Sequence, residues 1–209
     1  MRVLYDACVL FPASLRDFLI ELATTGLFEA RWTDLIHEEW IGNLLQQHAD
    51  LSREKLEYTK AMINKAVLNS VITGFEARIE GLELPDKNDR HILAAAIHGQ
   101  AGLIVTLNLR DFPASALESH GIRAVHPDEF ILELMDMDLP RVLEALVTCQ
   151  KRLKNPPRSM AAHLERLHKA GLVSASEQLG KYLDSPKVQV DTSFQYRWIH
   201  RSNKIESGE

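Results

Sequence analysis

Short strand-like runs alternate with helical segments from the start of the chain to about residue 127, and few folds accommodate that order. Strands separated by helices pair in parallel and bury both faces of their sheet, so an α/β architecture is expected. Residues 2 to 6 make the first strand. A helix follows Pro12, with Leu15, Phe18, Leu19 and Leu22 at helical spacing, and Gly26 ends it. Glu29 to Trp32 is a second strand, and Thr33 and Asp34 start a helix that runs to about Gln47. Residues 53 to 68 form another amphipathic helix through Leu56, Met62, Ile63 and Val67. Val71 to Phe75 reads as a short strand. Asp89 opens a helix over Ile92 to Ile97 that Gly99 closes. Leu103 to Leu107 is the most strand-like stretch, and a short helix after Pro113 leads to the last strand, Ile122 to Val125.

The alternation stops at Pro127. Residues 128 to 184 hold no convincing strand, and helices are expected over 128 to 136, 140 to 153 and 159 to 182, the last broken at Gly171. The first is acidic, whereas Lys151, Arg152, Lys154, Arg158, Arg166 and Lys169 form a basic stretch with one acid, Glu165. Residues 186 to 209 read as a tail whose aromatics, Phe194, Tyr196 and Trp198, suit docking on another surface. The expected organisation is an α/β domain over 1–127, a small all-α region over 128–185, and the tail.

Composition narrows the function classes. The 209 residues suit one core domain with an appendage, and 45% hydrophobic residues supply a core. Cys8 and Cys149 lie far apart, which argues against a disulfide framework or zinc site and for a reducing compartment. Asp6 interrupts the first apolar run, so no leader is read there, and no run approaches the ~18 residues that span a bilayer. A cytoplasmic protein without membrane partners is the expectation. The net charge of −5 excludes coating nucleic acid by bulk attraction, but not an enzyme with bridging metals and a local basic patch.

Four acids stand where strands end or helices begin: Asp6, Glu39, Asp89 and Asp111. In an open parallel sheet the strand C-terminal ends converge on one crevice, where ligands bind. Carboxylates gathered there repel unless a cation joins them, and hard divalent ions such as Mg²⁺, with phosphate-bearing substrates, are the usual answer. Asp6 closes a buried strand, where an unpaired charge is costly. On a helical wheel Trp32, Leu35, Ile36 and Trp40 define an apolar face; Glu39 falls on it and Glu38 points away. Asp89 and Asp111 have two open readings, helix cap or ligand. Thr106 and Asn108 add short polar groups at a strand end. His37, His91 and His98 are read as surface groups or supports behind the ligands, and Cys8 as a small packed residue.

Taken together, Val3-Leu4-Tyr5-Asp6, the block Trp32 to Trp40, the block Leu84 to Ala96 and the block Ile104 to Pro113 resemble a PIN domain, the nuclease fold of the VapC-type toxins. The resemblance covers about residues 1 to 127 and implies a three-layer α/β/α fold around a parallel sheet. The helices beyond 128 are similar to the C-terminal extension of a subset of these proteins. It further implies Mg²⁺- or Mn²⁺-dependent hydrolysis of RNA phosphodiesters, with Asp6, Glu39 and Asp89 as metal-binding acids. Many members carry an acid at the position of Asn108; here either Asp111 completes the set, around one metal or two, or a second metal is held more weakly. Cys8 replaces the usual hydroxyl or amide two residues after the first Asp. Thr106 and Asn108 are expected to orient water or a ligand carboxylate. The implied partners are RNA, a small antitoxin and a second copy in a homodimer. The basic stretch is either an RNA-holding surface or an ordinary solvated helix face.

Other classes fit less well. A phosphatase of the haloacid-dehalogenase type needs a second Asp two residues after the first, where this chain has Cys8. A receiver domain needs a late-strand lysine, where the chain reads Leu109-Arg110-Asp111. A binding module of the same fold that has lost turnover, or a housekeeping RNA-processing nuclease, are the remaining alternatives.

Overall fold

The computed structural model describes residues 1–153 and 157–184. Four short strands form one sheet: β1 (Arg2–Tyr5), β2 (Glu29–Arg31), β3 (Leu103–Val105) and β4 (Arg123–Val125). Their order is β2-β1-β3-β4 and every pairing is parallel. Val3, Leu4, Tyr5 and all of β3 are buried, as strands covered on both faces must be. Helices flank the sheet, giving the expected α/β/α layering.

Between β1 and β2 lie α1 (Ala7–Leu10) and α2 (Ala13–Thr24). Between β2 and β3 lie α3 (Asp34–Gln47), α4 (Arg53–Ala66) and α5 (Arg90–His98), and between β3 and β4 the single turn α6 (Ala114–Leu117). The one-turn α1 was not expected. The run Val71 to Phe75 is not a strand. Only Val71 bridges, to Trp32, and Gly74 then turns the chain at φ +79°. Phe75 is buried beneath the 3-10 turn that follows.

Beyond β4, α7 (Pro127–Arg152) unites the two helices expected over 128–136 and 140–153. Asp138 is non-helical inside it, because Pro140 has no N–H to donate and its ring crowds the preceding turn. The Asp138 carboxylate accepts the Arg141 N–H at 3.1 Å and so restarts the helix. α8 (Met160–Lys169) and α9 (Val173–Asp184) follow, separated at Gly171, whose φ of +104° favours glycine. Phe130 of α7 meets Phe28 edge-on at 5.1 Å, and α7 also packs on α2. The tail aromatics Phe194, Tyr196 and Trp198 lie outside the described residues, as does Lys154.

The core of the α/β layer is aromatic. Tyr5 stacks near Trp32, and its hydroxyl donates to the Leu19 carbonyl at 3.1 Å. Asn64 Oδ1 accepts both the Trp32 indole N–H at 2.7 Å and a bond with His37 Nε2 at 3.0 Å. The Trp40 indole donates to His37 Nδ1 at 3.0 Å, which fixes His37 as a neutral ring protonated on Nε2. Burial lowers the His37 pKa, in keeping with that form. His37 is therefore a fully buried core residue, not the surface or supporting group expected.

Candidate metal centre

The register Tyr5↔Val105 puts the residues that leave β1 and β3 side by side. These are Asp6 and Thr106, a hundred positions apart in sequence. The chain departs from β1 toward β2 and from β3 toward β4, so the crevice between β1 and β3 is the switch point of the sheet.

Asp6 is only 4% exposed. Its Oδ2 accepts the Thr106 hydroxyl at 2.6 Å and the Cys8 thiol at 3.0 Å. The Asn108 N–H in turn donates to Thr106 Oγ1 at 2.9 Å, and the Leu107 N–H to Cys8 Sγ at 3.2 Å. Donors are thus relayed toward one carboxylate. Burial raises the Asp6 pKa, the Thr106 and Cys8 bonds oppose that rise, and Glu39 adds to it. Burial also pushes the Cys8 thiol far up, so it stays protonated and donates. Cys8, read from sequence as a small packed residue, is thus also a donor to the carboxylate two residues before it.

Asp89 lies at the end of a 3-10 turn (Lys87–Asp89) and occupies the N-cap position of α5, yet its side chain makes no capping bond. The capping reading therefore does not describe what its carboxylate does. Its pKa is raised to about 7, first by burial and then by Asp6, Asp86, Asp111 and Glu39. Asp111 ends the turn Leu109–Asp111, while α6 begins after Pro113, so Asp111 does not start that helix. Asn108 is exposed and caps nothing with its side chain; its backbone N–H is what reaches Thr106.

Glu39 is placed differently from the wheel reading. The buried residues of α3 are Ile36, His37, Trp40, Ile41 and Leu44, whereas Leu35 is 46% exposed. Trp32 lies outside the helix that Thr33 caps, so counting it rotated the inferred face. Glu39 is exposed at the rim, where Oε2 lies 3.4 Å from His91 Nε2 of α5. Glu38 turns away to Arg53 and Lys60, as read. His91, read as a surface group or a support behind the ligands, stands beside Glu39, whereas Asp86 was not named as part of the acidic set. The signal for Asp86 was position alone, three residues before Asp89 in the same turn.

Four carboxylates thus act on Asp89 from four segments of the chain, its own turn included, and Glu39 also acts on Asp6. Among the described residues no three His, Cys, Asp or Glu side chains stand close enough to form a ready-made metal cage. The oxygens are neighbours at electrostatic range. The donor set is nevertheless a fit for a hard divalent cation: all oxygen, strongly anionic, with the one nearby sulfur held as a protonated donor. Burial first, and the neighbouring acids after it, raise Asp89, and a dication offsets that cost of charge.

A family model described as a PIN domain matches residues 2–110, and one described as the VapC50 C-terminal domain matches residues 127–181. A relative named "Putative ribonuclease VapC50", from Mycobacterium tuberculosis (strain ATCC 25618 / H37Rv), is 51% identical over 49 residues. That match covers 23% of this chain and 29% of the relative's own length. No solved structure matches. No helix among the described residues is long and apolar enough to cross a membrane.

Proposed function

The chain belongs to the PIN-domain family, and from that premise we propose that it is a divalent-metal-dependent ribonuclease of the VapC type. Asp6, Glu39, Asp89 and Asp111 would hold Mg²⁺ or Mn²⁺. The observation that carries this reading is the convergence at the β1–β3 crevice, where Asp89, raised first by burial, is also raised by Asp6, Glu39 and Asp111 from distant parts of the chain and by nearby Asp86. A divalent cation bound there supplies acidification of water and charge offset at a scissile RNA phosphate. The protein's own part is to keep Asp6 anionic and fixed. Thr106 and Cys8 do so by donating to its carboxylate, and Asn108 orients Thr106 through its backbone. Glu39 would join from the rim, beside His91.

Residues 1–127 are read as the nuclease domain, 128–185 as a helical domain and 186–209 as a tail. The partners proposed are RNA, a small antitoxin protein and a second copy of the chain, in the cytoplasm. The alternative of a module without turnover is disfavoured by Cys8, whose thiol donates to Asp6 as a hydroxyl would.

Cleavage of a mixed RNA substrate, with Mn²⁺ and with chelator, tests the reading. Metal-dependent cleavage lost in Asp6→Asn and Asp89→Asn proteins that still fold is the expected result. Cleavage that survives both substitutions overturns it. Growth arrest on expression, relieved by the product of a neighbouring small gene, tests the toxin role separately.

A further inference from the structure

Away from the carboxylates, α2, the end of α7 and the start of α8 enclose a cavity of about 220 Å³. His163 lines it, is 2% exposed, and has no hydrogen-bond partner at either ring nitrogen. Buried polar atoms left in that state are costly unless something in the cavity meets them. Arg158 and Arg166 line the same cavity and both act electrostatically on His163. Arg166 follows His163 by three residues and so shares its face of α8.

The basic stretch divides here into two kinds of cation. Arg152 pairs with Glu21 and Lys169 with Glu165. Among the described residues Arg158 and Arg166 have no carboxylate partner within salt-bridge distance, although Asp17 lines the far wall and pairs with its neighbour Arg16 at 3.6 Å. The walls are tied together. Gln150 donates to the Arg158 carbonyl at 2.6 Å, Ser14 to the Arg166 carbonyl at 3.4 Å, and the Cys149 thiol to the Asp17 carbonyl at 3.4 Å. Two guanidiniums and an imidazole line one small space on a tied frame, and the forked N–H groups of a guanidinium match the acceptor oxygens of a tetrahedral oxyanion. A metal cation is disfavoured by the same two charges.

We propose that this cavity binds a phosphoryl group, held by Arg158, Arg166 and His163 and carried either on an RNA strand or on a free phosphomonoester. The RNA source rests on the nuclease reading and would make the helical region a second grip on the substrate, remote from the cut. The phosphomonoester source does not depend on it.

Titration calorimetry on the full chain, with metal chelated so that no turnover occurs, tests the site with inorganic phosphate, AMP and a short single-stranded RNA. His163 is too buried to replace without risk to α8, so the variant is Arg158→Gln with Arg166→Gln, and Lys169→Ala, which removes one cation of the same basic stretch away from the cavity, is the control. At least one probe should bind the parent, roughly tenfold or more weaker in the arginine variant and within about twofold in the control. Loss confined to RNA identifies the strand as the source; loss confined to phosphate or AMP identifies the free ester; either supports the site. No binding of any probe to the parent, or binding equally weakened by Lys169→Ala, overturns it. Because no cleavage is measured, either failure leaves the test of the carboxylates standing.

Discussion

Replacing Asp89 with Asn should stabilise the metal-free protein. Its carboxyl is raised from 3.8 to about 7 by burial and by Asp6, Asp86, Asp111 and Glu39. Taken whole, three units at about 1.36 kcal/mol each come to about 4 kcal/mol. The side chain is only half-buried and water screens its neighbours, so about 1–2 kcal/mol is the expected effect. The sign follows from proton binding. Between the unfolded and folded pKa values the native state holds the extra proton, so stability falls as pH rises through that window. The full penalty is present above about pH 7, and Asn cannot incur it. In chelator at about pH 8 the variant should melt about 2–8 °C above the parent, and most of that gap should vanish near pH 4.5. Adding Mn²⁺ should raise the parent's melting temperature more than the variant's, because only the parent keeps the full ligand set. A variant that melts at or below the parent in chelator at about pH 8 refutes the crowding argument, and Asp89 would then be making a stabilising contact.

Thr106→Val removes the strongest donor to Asp6, and a hydrogen bond to the charged form is what lowers a carboxyl pKa. The acid limb of the cleavage pH–rate profile should therefore move to higher pH, with a stability loss of about 1–3 kcal/mol in urea denaturation. Cys8→Ala should shift the same limb in the same direction by less, since a thiol is the weaker donor. Asn64→Ala strands the Trp32 indole and His37 donors together, and should cost about 2–4 kcal/mol by urea denaturation followed through tryptophan fluorescence. Asp138→Ala takes the cap from the second half of α7, for an expected loss of about 0.5–2 kcal/mol.

The architecture was legible where the signal is local. Leu103 to Val105 and Val3 to Tyr5 are unbroken apolar runs, and such runs separated by helices leave little choice but a buried parallel sheet. Pro127 and Gly171 punctuate the helices where the sequence placed them. Val71 to Phe75 misled because its β-branched residues satisfy a propensity while only one residue finds a ladder partner. His37 misled for the opposite reason. A histidine in a polar stretch of sequence reads as exposed until the fold brings Asn64 of α4 to it, a tertiary contact that joins the nearby Trp40 indole in satisfying the ring.

The candidate site divides along the same line. Asp6 and Asp89 could be named in advance because a strand end and a helix start each leave a mark nearby in sequence. Thr106 was named as a group that orients a ligand carboxylate, but which carboxylate it meets, and that Cys8 joins it, could not be read. Thr106 is one hundred residues away and Cys8 looked like packing, yet both donate to the same oxygen once β1 and β3 lie in register. A one-residue slip of that pairing would carry Thr106 to the opposite face of the sheet and leave a buried carboxylate without its strongest donor. The register of two strands with no charged residue between Val3 and Tyr5 or Leu103 and Val105 therefore fixes the electrostatics of the crevice. Substitutions in β3 that loosen the pairing should accordingly depress cleavage before they depress overall folding. The comparison of cleavage rate with melting temperature for Ile104→Ala against an equally buried site far from the crevice, such as Leu146→Ala, distinguishes the two: equal loss of activity per degree lost would show that the register carries no special weight.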